Sequence, residues 1–139
     1  MSTDAEFLAD FEALRVPLER WHHRDHVKLA YLYLRAGSFE DAARRITAGI
    51  RAHNAARGIV DTPTSGYHET MTIAWLTLIA AMLAEYGPEP TADAFCDAHP
   101  ELLEKKTLRL FYSRERFMSA HAKCEFVEPD LAPLPRPRR

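Results

Sequence analysis

Cysteine is nearly missing from the 139 residues: Cys96 and Cys124 are the only two. They are too few for a disulfide framework and are not spaced as a metal-binding pair, so reduced thiols are expected. Glycine is scarce, with five residues, and strand-like alternation of apolar and polar side chains is rare, which argues against sheets. Charge of one sign is lacking. Lys and Arg total 18 against 20 Asp and Glu, for a net charge of -2, and no basic excess is left to follow nucleic-acid phosphates. The longest nearly apolar run, Met71 to Ala84, has 14 residues. That is short of the ~20 a membrane span needs, so it reads as a buried helix. No basic segment followed by an apolar one opens the chain, and a cytoplasmic protein is expected. Several catalytic signatures are also absent. There is no GxGxxG, GxxxxGK[ST] or GxSxG, which removes support for nucleotide cofactors and for a serine hydrolase. Thr72 stands where a zinc-protease HExxH starting at His68 would need its second histidine.

What is present suits a folded domain: 47% hydrophobic and 27% charged residues are enough for a core. Alanine and leucine dominate, and the expected fold is all-α, a compact single-domain bundle of five to six helices around a central apolar helix at residues 67–86. A first helix is read from Thr3 or Asp4 to Arg15, before Pro17. A second starts between Pro17 and Arg24 and runs to Gly37, and a third runs from the N-cap Ser38 to about Arg57. Their short connection makes an antiparallel hairpin. The loop 58–66 leads into the central helix, and shorter helices are expected over Thr91–His99, Glu101–Leu110 and Ser113–Val127. Residues 1–127 form the expected domain. Residues 128–139, with Pro133, Pro135 and Pro137 among arginines, form an extended tail.

Histidine is the residue in excess, with five of seven before residue 70. In Trp21-His22-His23-Arg24-Asp25-His26, His22 and His26 are four apart, a spacing that sets two imidazoles on one helix face where they can share a metal. Arg24, Lys28 and Arg35 mark the opposite, solvated face, and Asp25 faces outward with them. A second cluster, Tyr67-His68-Glu69-Thr70, opens the central helix. Helical rise joins the two. His22 and His53 each lie roughly 23 Å from the hairpin turn, so they are level, and the loop 58–66 returns the chain to the same end of the bundle at His68. His22, His26, His68 and Glu69 are the expected metal ligands, with His23 and His53 as reserves or as groups that orient a ligand. Zinc or iron fits such a set, and so do nickel and copper.

The blander reading is a set of core histidines bonded to backbone carbonyls, with Glu69 answering the helix dipole. Tyr33 and Tyr67 are placed near the site by helical-wheel position, as groups for proton transfer beside Glu69. Arg116 and Tyr112 are candidates for substrate binding, against a packing role at the start of a surface helix. The two histidine clusters, followed by Phe111-Tyr112-Ser113 and Phe126-Val127-Glu128-Pro129-Asp130-Leu131, resemble a family of small uncharacterised bacterial all-helical proteins across most of the chain. That resemblance implies no activity, and no residue role is taken from it. The leading expectation is a metal-dependent enzyme acting on a small molecule, with lyase, hydrolase and oxygenase chemistry undistinguished. The alternative is a non-catalytic binding or interaction module with a structural metal or a metal-free polar cluster. Neither a nucleic acid nor a membrane is expected as partner, and a homodimer is compatible with the apolar central helix.

Overall fold

The structure, a computed structural model, describes residues 3–137. Among them the chain is all-α: seven α-helices and three short 3-10 turns, with no strand. Helix α1 (Asp4–Glu12) starts at a reciprocal cap in which the Glu6 amide donates to Thr3 Oγ1 and the Thr3 amide to Glu6 Oε1. A 3-10 turn over Leu18–Arg20 precedes α2 (His23–Ala36), where the Asp25 carboxylate accepts the His22 amide at 2.9 Å. Helix α3 (Phe39–Ala56) is capped by Ser38 as its sequence implies. Helix α4 (Glu69–Tyr86) stops at Gly87, whose φ of 81° lies in the region glycine tolerates. Helix α5 (Ala92–Ala98) is capped by Thr91.

Beyond α5 the structure departs from the expected elements. Glu101–Leu110 is not an α-helix but falls within two 3-10 turns, Pro100–Leu103 and Lys105–Leu110. Ser113–Val127 divides into α6 (Arg114–Phe117) and α7 (Ala120–Cys124), because Ser119 caps a new start by accepting the Ala122 amide. Among the described residues, no helix is long and apolar enough to cross a membrane.

Helix α2 packs against α1, α3, α4 and α5, and α4 packs against α2, α3 and α7. Phe11, Leu29, Leu76, Ile79, Phe95 and Leu102 form the deepest core. Where α1 meets α3 the chain carries Gly49 in mid-helix, and a Cβ there would sit 2.3 Å from Phe11 Cε2. The missing side chain is what lets Phe11 lie on α3. The C-terminal segment is extended, as its prolines require, but it lies on the bundle. Leu134 is buried, the Leu131 amide donates to Phe111 O at 2.9 Å, and Asp130 accepts the Ser113 amide and hydroxyl at 2.8 and 2.6 Å. The last two arginines of the expected tail, Arg138 and Arg139, lie outside the described residues.

Candidate functional site

The start of α2, the end of α3 and the start of α4 surround a cavity of about 540 Å³, and His22, His23, His26, His53 and His68 all line it. The loop between α3 and α4 supplies one wall through Pro63, Thr64 and Gly66. That loop is folded onto Asp61, whose Oδ1 accepts the Tyr67 amide at 2.8 Å. Gly66 permits it, with φ at +91° and space for no Cβ, since one would fall 2.0 Å from that same oxygen. Lys123 of α7 closes the other side by donating to Tyr67 O at 2.7 Å.

The histidines differ in what their rings do. His68 caps α4: its Nδ1 accepts the Met71 amide and its Nε2 donates to Phe117 O, each at 3.0 Å, so both nitrogens are committed and the ring is neutral. His53 is committed too, with Nε2 donating to Phe11 O at 2.8 Å and Nδ1 accepting from the Arg57 guanidinium. It stacks on Phe11 with 4.7 Å between ring centroids, and Trp21 lies nearly parallel to both rings, 5.3 Å from Phe11 and 6.1 Å from His53. His23 donates to Leu102 O at 2.9 Å and leans on Trp75. His22 is exposed at the cavity edge.

His26 stands apart. Its ring meets the edge region of Trp21 at 4.7 Å, and among the described residues nothing donates to or accepts from its nitrogens. Burial first, and then the nearby His23 and Lys105, push its pKa down to about 4. His23 and His68 are also held below the ordinary histidine value, chiefly by burial. At neutral pH these three rings are therefore uncharged.

The other expected site residues are scattered. Glu69 does not line the cavity; its Oε1 accepts the Tyr67 hydroxyl at 2.6 Å. Tyr67 does line it, with its pKa pushed up to about 12 by burial first and the Glu69 bond second. Tyr33 lies away from this cavity in a separate small cleft beside Asp41 and Arg45, where its hydroxyl donates to Glu12 at 2.8 Å. It shares a wheel position with His26 but sits two turns further along α2, and the wheel does not record height. Tyr112 and Arg116 do not line the cavity either. Tyr112 donates to Val127 O at 2.7 Å and the Arg116 guanidinium to Glu128 O, so both secure the C-terminal segment.

Among the described residues, no group of three His, Cys, Asp or Glu side chains stands together in a way that could hold a metal ion. His53 and His68 already use both ring nitrogens, and a metal at His68 would have to displace one of its two protein partners.

Lining groups missed by the sequence reading include both tryptophans, Arg57, Lys105 and Lys123. Trp21 adjoins the histidine cluster, and Arg57, the residue that ends α3, is four from His53, a spacing that signals contact. Nothing local marks Trp75 or Lys105. No family model, curated protein or solved structure matches the chain.

Proposed function

We propose that the chain binds a small molecule in the histidine-lined cavity, with His26 as the side chain that meets it. The observation that supports this most is the His26 ring: a neutral imidazole with no protein partner, turned to a cavity of about 540 Å³. That volume falls within the usual range for small-molecule sites, and apolar walls with a few polar groups are the usual construction. A neutral imidazole donates through one nitrogen and accepts through the other, so it can orient a ligand or pass it a proton.

Both tryptophans of the chain line the cavity, so their emission reports on its contents. Titration with bicyclic aromatic acids, amides and amines should give a saturable change in emission for at least one class, weakened in His26→Gln. If no class gives saturation up to its solubility limit, the cavity is not a ligand site.

A metal-dependent form of this proposal, an enzyme using zinc, iron, nickel or copper, draws support from the same ring. Neutral imidazole is the form that binds metal, and His22 lines the same cavity. Elemental analysis of the purified protein beside His26→Ala tests it: near-stoichiometric metal in the parent and loss in the variant is the expected result. Equal metal content in the two removes His26 from any ligand set.

A further inference from the structure

The charge on the cavity wall is one-sided. Arg57, Lys105 and Lys123 line it, and among the described residues no Asp or Glu does. Lys123 is occupied, donating to Tyr67 O with Asp61 at 3.7 Å. Arg57 and Lys105 have no carboxylate within ion-pair distance among the described residues.

Arg57 is held in an unusual way. A half-buried guanidinium ordinarily pairs with a carboxylate, which cancels its charge. Here the partner is the Nδ1 of His53, which accepts from the guanidinium while Nε2 donates to Phe11 O, and the ring is fixed in place by stacking on Phe11. The guanidinium is thus positioned while its charge is left uncancelled, and its other N–H groups find no acceptor among the described residues. Much of the rest of the wall is apolar or aromatic, Trp21 and Trp75 included, with the five histidines and the uncharged polar side chains of Asn54, Thr64, Thr72 and Ser119 between.

Resting on the cavity being a ligand site, we propose that its ligand is a small apolar carboxylate, with its hydrophobic body against Trp21 and Trp75 and its carboxylate on the Arg57 guanidinium. A planar carboxylate matches the guanidinium fork, and its charge offsets the desolvation of Arg57. Lys105 adds attraction from the exposed edge. It also stands close enough to His23 and His26 to disfavour a proton there, and an anion between them reverses that effect.

Calorimetry on the full chain at neutral pH tests the proposal with naphthoate, naphthamide, naphthylmethylamine and acetate. Naphthoate should bind at least about tenfold more tightly than naphthamide. The amine and the bodiless acetate should show no measurable binding. Arg57→Gln should bring naphthoate down to the level of naphthamide while the melting profile shows a folded protein. Arg57→Lys, which keeps the charge but loses the fork, should fall between the two. If Arg57→Gln does not fold, the exposed substitution Lys105→Gln still has to narrow the preference for acid over amide. Naphthamide or the amine binding as tightly as naphthoate would overturn the carboxylate proposal and leave the ligand site standing. An acid preference that survives Arg57→Gln unchanged would overturn the role given to Arg57. If none of the aromatic probes binds, the ligand site itself falls.

Discussion

His26 links the cavity to the stability of the protein through one proton. Its pKa is about 4 when folded, against 6.5 for an ordinary histidine, so between those values the unfolded chain holds a proton the folded chain refuses. The contribution is complete above about pH 6.5, declines as pH falls, and is gone near pH 4. It amounts to at most about 3 kcal/mol. His23 and His68 shift in the same direction and add to the slope. Urea unfolding followed from about pH 7.5 to pH 4.5 should show stability falling with acidification, and His26→Gln should flatten that fall. An unchanged slope in the variant would mean the acid sensitivity arises elsewhere. The positions of the five histidines at one end of the bundle were legible from spacing and helical rise. Which nitrogens are already spent was not, because their partners at Phe11, Leu102 and Phe117 are remote in sequence.

The helices were legible where a cap and an apolar stripe coincide, as at Thr3, Ser38 and Thr91. They were less so over Glu101–Leu110, where no capping side chain holds an α-helical start and the chain takes 3-10 turns instead. Gly49 shows packing overriding propensity. In a helix interior alanine is favoured over glycine by about 1 kcal/mol. Yet a Cβ at this position would meet the Phe11 ring at 2.3 Å, and overpacking of this kind costs about 1–3 kcal/mol. Gly49→Ala should therefore lower stability by up to about 2 kcal/mol on net, measured by urea unfolding. It should also weaken the seat of His53, whose ring rests on Phe11 and bonds to its carbonyl. A variant more stable than the parent would show that α1 can withdraw from α3 freely.

At the scale of the molecule, the C-terminal segment is part of the structural ledger. Its prolines made the extended backbone legible, but nothing nearby in sequence showed that Leu134 enters the core or that Asp130 holds Ser113. Leu134→Ala should cost about 2–3 kcal/mol, against almost nothing for a loose tail, and thermal or urea unfolding distinguishes the two.

The three ring-to-carbonyl bonds of His23, His53 and His68 span 79, 42 and 49 residues. The cavity wall is thus stitched from segments that meet only when most of the chain has closed on itself. Such contacts form late on the folding route, so an occupant has nothing to grip before the rate-limiting barrier. Its effect is expected on one limb of the chevron alone: slower unfolding in proportion to occupancy, with the refolding rate unmoved.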